Sequence, residues 1–269
     1  MLERSHLGVK SVYVNSYNPK LLYPIPRAIK RDELGIAGNE FYGVDIWNHY
    51  EISWLNVGGK PAVAIGEIIY PSNSPNIIES KSMKLYFNSF NGTVFENSQQ
   101  LIDTVLKDLS SAVGEEVTFN LIPLDSNISF TKFSGICLDR LNVVCDTYKP
   151  YPDYLKVSDI IVEEELYSNL LKSNCLVTSQ PDWGSVYINY TGHQISHEGL
   201  LKYIVSLREH NEFHEQCVER IFHDIMKYCK PTSLIVYARY TRRGGVDINP
   251  YRTTNKSFII PSNNRLIRQ

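Results

Sequence analysis

Apolar and polar positions alternate along the chain in two rhythms, one of period two and one of period 3.6. VDIWNHYEISWLN (44 to 56) and KPAVAIGEIIYP (60 to 71) combine β-branched and aromatic residues on either side of Gly58-Gly59, which predicts two antiparallel strands joined by a turn. SKSMKLYFNSFN (80 to 91) follows as a helix. A second helix is marked by Leu101, Ile102, Val105, Leu106, Leu109 and Val113, which share one face. Asn97 or Ser98 can cap its start and Gly114 its end. EEVTFNLIPL (115 to 124) alternates as a strand does, so the first half reads β-β-α-α-β.

The second half repeats that order more faintly. WGSVYINYTG (183 to 192) is a strand, and SHEGLLKYIVSLREH (196 to 210) is a helix capped by Ser196. Residues 211 to 230 carry Cys217, Val218, Ile221, Phe222, Ile225 and Cys229 at helical spacing, and TSLIVYARYTRR with VDINPYRT closes the set as a hairpin around Gly244-Gly245. Two similar halves follow, 1–150 and 151–269, with the Lys-Pro-Tyr-Pro cluster inside a connector from 125 to 156. The opening stretch through YNPKLLYPIPRAIKRDELGI lacks a sustained period and reads as an extended arm with no regular element. Antiparallel strands with two consecutive helices give an α+β fold and exclude a doubly wound sheet; no GxGxxG follows a strand.

With 269 residues, 43% hydrophobic and 21% charged, the chain has the composition of a globular protein, and its net charge of -2 offers no general field for nucleic acid or an anionic membrane. MLERSHLGVK lacks the apolar core of a secretion leader, and no run of about 18 apolar residues occurs. A cytoplasmic protein without membrane spans is expected. The five cysteines are irregularly spaced without a CxxC pair, which fits neither a disulfide framework nor a cysteine-rich zinc site. His193 and His197 straddle the helix start at Ser196, so no metal is expected.

Several residues fit chemistry as well as structure. Cys175 follows the polar pair Ser173-Asn174 and precedes the turn-rich TSQPDWG, which places it in a loop rather than an apolar stripe; it reads as a nucleophile or as a packing thiol. Cys217 and Cys229 lie on the apolar helix face and belong to the core. Asp182 stands beside Trp183, an apolar neighbour able to raise its pKa and make it a general acid, although an aspartate after proline also favours a turn. Phe213, His214 and Glu215 open the last helix. Glu215 there can simply complement the helix dipole; alternatively Phe213 stacks on a flat ring, Glu215 accepts from an amidine-like edge and His214 donates. In Ile78-Glu79-Ser80-Lys81, Ser80 suits an N-cap, while Glu79 and Lys81 suit a heterocycle and a phosphate. Arg242-Arg243-Gly244-Gly245 is either a solvated hairpin tip or a phosphate clamp.

Taken together, IIESKSMKLYFNSFN, SNCLVTSQPDWGSVYINY, FHEQCVERI and YTRRGGVDINPYR closely resemble the long, two-module form of the NADPH-dependent 7-cyano-7-deazaguanine reductases of queuosine biosynthesis, over nearly the whole chain from LLYPIPR to RLIRQ. The resemblance implies two fused modules of the tunnelling fold, with a substrate pocket formed between them. It implies that Ile78, Glu79, Ser80, Phe213, His214 and Glu215 contact a small deazapurine substrate, and that Ser80, Lys81, Arg243 and Gly244 contact NADPH. Cys175 and Asp182 would be catalytic, the first adding to the nitrile to form a thioimidate. No metal and no direct nucleic-acid contact are implied, and a homodimer is expected by analogy with other tunnelling-fold proteins. Two readings compete with this one: a cysteine hydrolase or cyclohydrolase acting on a purine-like substrate, and a non-catalytic purine-binding module.

Overall fold

A strand or helix persists where one of its faces is shut away from water, and the computed structural model follows that rule across residues 14–36, 38, 40–176 and 178–269. In chain order the elements are β1 (Pro24–Pro26), α1 (Ala28–Leu34), β2 (Tyr42–Leu55), β3 (Pro61–Pro71), β4 (Asn76–Ile78), α2 (Ser80–Asn88), α3 (Ser98–Val113), β5 (Thr118–Ile122), β6 (Phe130–Thr131) and β7 (Ile136–Cys137). They continue with β8 (Val157–Ser168), β9 (Lys172–Asn174), β10 (Pro181–Ile195), α4 (His197–Ser206), α5 (His214–Cys229), β11 (Ser233–Tyr240), β12 (Val246–Thr253) and β13 (Arg265–Leu266). The result is a mixed α+β chain whose principal strand pairings are antiparallel. Its described residues form two compact units that interleave in sequence: the first gathers those from residue 14 to Lys30, Asp45–Ile128 and Arg242–Asp247, and the second those of Arg31–Val44, Ser129–Thr241 and Ile248–Gln269. The chain thus crosses from one unit to the other several times.

In the first unit β5, β3 and β2 are neighbours in that order, and β1 pairs antiparallel with β4. The Asn56 side chain draws in the Gly58 and Lys60 N–H groups at 3.0 Å each, which closes the β2–β3 turn. Helix α3 opens on Asn97, whose side chain accepts from the Gln100 N–H at 2.9 Å, and ends at Gly114 in the left-handed region. Its Leu101, Val105, Leu109 and Val113 are fully buried, as a period of four on one face requires. Helix α2 buries Met83, Tyr86 and Phe87.

His49 on β2 is enclosed in this core, its ring 4.7 Å from that of Phe87. Its Nδ1 accepts from the Glu51 N–H at 3.2 Å, which leaves the proton on Nε2. Burial, with a smaller contribution from the Lys84 charge, lowers its pKa to about 3 from an ordinary 6.5. A folded pKa below the unfolded one means that protons bind the unfolded chain first. The stability held by neutral His49 is therefore complete above the unfolded pKa of 6.5 and drains away as pH falls toward 3. By about pH 5 this single group costs roughly 2 kcal/mol. Denaturant titrations between neutral and mildly acid pH should show that slope, and a His49→Asn chain should lack it.

In the second unit the strand order is β12-β11-β10-β8-β7, with β9 paired to β10. Helices α4 and α5 bury Leu200, Ile204, Val218, Ile221 and Phe222 in one core with Val186 and Ile188 of β10. Burial pushes the Cys217 and Cys229 thiols up to about 12, so both remain protonated packing groups as expected.

Two expectations need correction, and one strand had no expectation at all. The proline-rich arm is not free of regular structure, for it contains β1, α1 and a 3-10 turn at Pro19–Leu21. Arg27, between β1 and α1, forms a buried ion pair with Asp45 and donates to Ser74 Oγ at 3.1 Å, and these contacts hold a segment that has no apolar period. Strand β8 was not legible, because its first half is exposed and its acidic run masks the alternation. The helix expected from 196 to 210 stops at Ser206, and a separate 3-10 turn follows at Leu207–Glu209.

Candidate active site

Cys175 and Asp182 are placed by the β9–β10 hairpin of the second unit. Its register sets Pro181 opposite Asn174, Asp182 opposite Ser173 and Trp183 opposite Lys172. The Cys175 N–H donates to the Gln180 carbonyl at 2.8 Å, which extends the pairing one step to Cys175 and Gln180. Because side chains alternate across a strand, Cys175 and Asp182 become diagonal neighbours on one face. Both are nearly closed off, at 8% and 6% exposure. The loop between them turns through Ser179 in the left-handed region (φ 53°), with its N–H donating to the Cys175 carbonyl at 3.0 Å.

The opposite hairpin face carries Trp183, which is one-third exposed and covered by the Arg208 guanidinium at 5.2 Å. Trp183 therefore does not supply the apolar neighbour expected for Asp182, since adjacent strand residues face opposite ways. His214 stands closer: its Nε2 lies 3.8 Å from Asp182 Oδ1, within ion-pair range and beyond hydrogen-bond range. The His214 ring meets the edge of Tyr240 at 4.1 Å. Gly184 lies opposite Tyr240 in the β10–β11 register, and a Cβ there would sit 3.1 Å from the tyrosine ring. The absent side chain lets that ring lie against β10.

Helix α5 begins at His214, with Phe213 as its cap residue and the Gln216 side chain accepting from the Phe213 N–H at 3.2 Å. Glu215 is buried in the first turn, where a carboxylate complements the helix dipole. Tyr240 and Glu212 belong to this neighbourhood, yet no motif or spacing marks either. Tyr240 is one apolar-face residue among several on β11, and Glu212 is joined to Arg220 only when α5 folds.

The first unit brings together a different set. Glu79, not Ser80, is the N-cap of α2: its carboxylate accepts from the Lys81 N–H at 2.6 Å and from Ser82 at 2.8 Å. Glu79 and Ile78 are buried, while Ser80 and Lys81 on the first turn are half-buried. Burial raises the Glu79 pKa against the pull of those two hydrogen bonds and of Lys84 and Lys81. Two of the N–H groups that could have met a phosphate at this helix end are thus held by the chain's own carboxylate.

Arg243-Gly244-Gly245-Val246 forms a two-residue hairpin turn with both glycines at positive φ (59° and 76°), closed by the Arg243 N–H to Val246 carbonyl bond at 2.9 Å. A Cβ on Gly244 would lie 3.2 Å from Lys84 Nζ. The turn therefore comes against α2, and Ser80, Lys81, Lys84 and Arg243 belong to one unit although about 160 residues separate them. Cations, a hydroxyl and open backbone at a glycine are the donor set a phosphate-bearing cofactor requires. The RRGG turn is braced by Asp247, which accepts from Asn48 Nδ2 at 2.8 Å and Tyr50 OH at 2.5 Å.

His193 and His197 go to separate protein partners, the Ser158 carbonyl at 3.0 Å and Glu164 at 3.2 Å. Among the described residues no helix is long and apolar enough to cross a membrane.

Comparison with known proteins gives the same family along most of the chain. Residues 13–121 match the family described as nitrile reductase, 7-cyano-7-deazaguanine-reductase N-term, and residues 181–258 match the family described as QueF-like protein. A Legionella pneumophila (strain Lens) protein named NADPH-dependent 7-cyano-7-deazaguanine reductase is 58% identical over 99% of this chain and 95% of its own length. Proteins of the same name from Ralstonia nicotianae and Hydrogenovibrio crunogenus are 54% and 52% identical over 99% of this chain, covering 99% and 97% of their own lengths.

Proposed function

The chain belongs to the NADPH-dependent 7-cyano-7-deazaguanine reductase family, and from that membership we infer that it reduces the nitrile of 7-cyano-7-deazaguanine to the primary amine 7-aminomethyl-7-deazaguanine. The observation that carries the chemistry is the hairpin register that sets Cys175 and Asp182 side by side on a nearly closed face, with His214 at its edge.

A nitrile carbon accepts hydride poorly, so it must first be made more electrophilic. Cys175 gives its thiol proton to the Asp182 carboxylate, and the sulfur adds to the nitrile carbon. Asp182 then returns that proton to the nitrogen, which leaves a thioimidate with no net proton consumed. His214, within ion-pair range of Asp182, orients the carboxylate. NADPH, when bound, supplies the hydrides that carry a nitrile to an amine. Once the substrate carbon is tetrahedral, with a second proton taken from solvent on its nitrogen, its bond to sulfur breaks to leave an imine for the second hydride, and Cys175 departs as a thiolate that regains a proton from solvent before the next cycle.

Ser80, Lys81, Arg243 and Gly244 would hold NADPH, a reading supported by the cationic turn-and-helix set of the first unit. Ile78, Glu79, Ser80, Phe213, His214 and Glu215 would contact the deazaguanine. Glu79 already accepts two backbone N–H groups, and a carboxylate keeps further lone pairs for a guanine-like edge. The same reading includes two tunnelling-fold modules, a place in queuosine biosynthesis, a cytoplasmic location and a homodimer.

The test mixes the protein with NADPH and the cyano-deazaguanine and follows cofactor absorbance in the near ultraviolet. Two NADPH oxidised per nitrile consumed is the expected result. A hydrolase would consume substrate without oxidising NADPH, and a binding module would consume neither.

A further inference from the structure

Glu212 immediately precedes the Phe213 cap of α5, and the chemistry above gives it no part. It is nevertheless a deeply buried charge, at 1% exposure. Arg220 reaches back from α5 to grip it, with Nε at 3.1 Å from both carboxylate oxygens and Nη2 at 2.5 Å from Oε1. His210 Nε2 lies 2.8 Å from the same Oε1. Burial alone would raise the Glu212 pKa, but the hydrogen bonds with His210 and Arg220 together outweigh it and bring it down to about 2. The group is a carboxylate throughout the working range.

The backbone on both sides of Asn211, ending at Glu212 itself, is stitched to β9. The Asn174 N–H donates to the His210 carbonyl at 2.8 Å, and the Glu212 N–H donates to the Asn174 carbonyl at 3.2 Å, a parallel bridge that sets Asn174 beside Asn211. Side chains repeat the stitch: Asn174 Nδ2 donates to Asn211 Oδ1 at 3.1 Å, and Lys172 Nζ donates to Asn174 Oδ1 at 2.6 Å and to the Arg208 carbonyl at 2.7 Å. Asn174 is bonded to Cys175, and Glu212 to Phe213. One residue beyond the stitch on one strand is the proposed nucleophile; on the other begins the Phe213-His214-Glu215 set.

We propose that Glu212, clasped by Arg220 and His210, is a positioning residue that keeps the turn before α5 in register with the Cys175 strand, so that a nitrile held by Phe213, His214 and Glu215 meets the sulfur. This rests on the covalent reading of Cys175 given above. Displacement by about 1 Å can cost a reaction about a hundredfold while leaving binding nearly intact. Removing the clasp should therefore separate binding from bond formation.

The experiment compares the parent, Glu212→Ala and the milder Arg220→Lys, which keeps the charge but loses the two-pronged grip. Each is mixed with the cyano-deazaguanine, NADPH withheld. Nitrile affinity is measured by calorimetry, the rate of Cys175 adduct formation by intact-mass spectrometry, and thermal stability alongside. Adduct formation slowed at least about tenfold in Glu212→Ala, and by a smaller factor in Arg220→Lys, with affinity within about threefold of the parent, is the expected result. If Glu212→Ala does not fold, Arg220→Lys decides alone. A variant of lowered stability whose adduct forms at the parent rate, or one that loses affinity and rate in equal measure, overturns the proposal. A parent that forms no adduct removes the covalent reading itself and the proposal with it.

Discussion

Cys175→Ala should abolish nitrile reduction, with turnover falling by roughly 10⁴-fold or more, while the folded chain still binds both NADPH and the cyano-deazaguanine. The size of the effect follows from the chemistry: without a sulfur to add, the nitrile stays a poor hydride acceptor, and the remaining groups can only orient it. The cost in stability should be small, because the side chain removed is small and lies at the end of a hairpin loop. Cys217→Ala and Cys229→Ala provide the contrast. Both thiols pack in the α5 core, where burial keeps them protonated, so their loss should lower the melting temperature and leave turnover per folded molecule unchanged. Steady-state rates and intact mass, taken on the same three variants, check the assignment. A Cys175→Ala protein that retains as much as about a hundredth of parental turnover would falsify nucleophilic catalysis at this residue.

The largest effect on stability is expected at Glu219, far from any proposed chemistry. Its carboxylate, in the middle of α5, accepts from Arg31 Nε at 2.9 Å and Nη2 at 2.7 Å, and from Arg252 Nη2 at 2.8 Å. Arg252 is wholly enclosed, and its Nη1 donates to the Val44 and Tyr251 carbonyls at 3.0 Å each. Glu219→Ala would leave that guanidinium in the interior without the carboxylate that offsets its lost hydration. Breaking a buried pair from one side costs about 3–5 kcal/mol. For a chain of this size that corresponds to a melting temperature lower by roughly 10 °C, measurable by scanning calorimetry. Glu219→Gln, which keeps an acceptor, should lose less. A fall of no more than about 1 kcal/mol in Glu219→Ala would mean that the pair contributes no more than an exposed one.

The sequence was informative where a single rule operates over a short distance. The β2–β3 hairpin, α2, α3 with its Asn97 and Gly114 caps, α5 and the Gly244-Gly245 turn all follow from local periodicity, capping chemistry or tolerance of positive φ. Local rules failed where the decisive partner is distant. Strand β8 is held by pairing with β10 while its own pattern is mostly exposed, and the proline-rich arm is ordered by contacts such as that between Arg27 and Asp45. At the α2 terminus the sequence suggested a serine cap, and a fully buried glutamate took that place because its longer side chain reaches two N–H groups at once.

Residue types are legible from the order of amino acids alone: a loop cysteine, a carboxylate seven residues on, a His-Glu pair opening a helix, and a cationic turn. The motifs they form also mark the family to which the chain belongs. Tertiary structure decided how these groups are arranged. Strand register put Cys175 and Asp182 on the same face and turned Trp183 away, and the packing of Gly184 against Tyr240 set the wall on which His214 rests. Those outcomes depend on which residue lies opposite which, and a one-residue slip of register would reverse them. Register here is fixed by the geometry of the loop from Cys175 to Gln180 and by the packing of the sheet around it, neither of which the run of residue types displays.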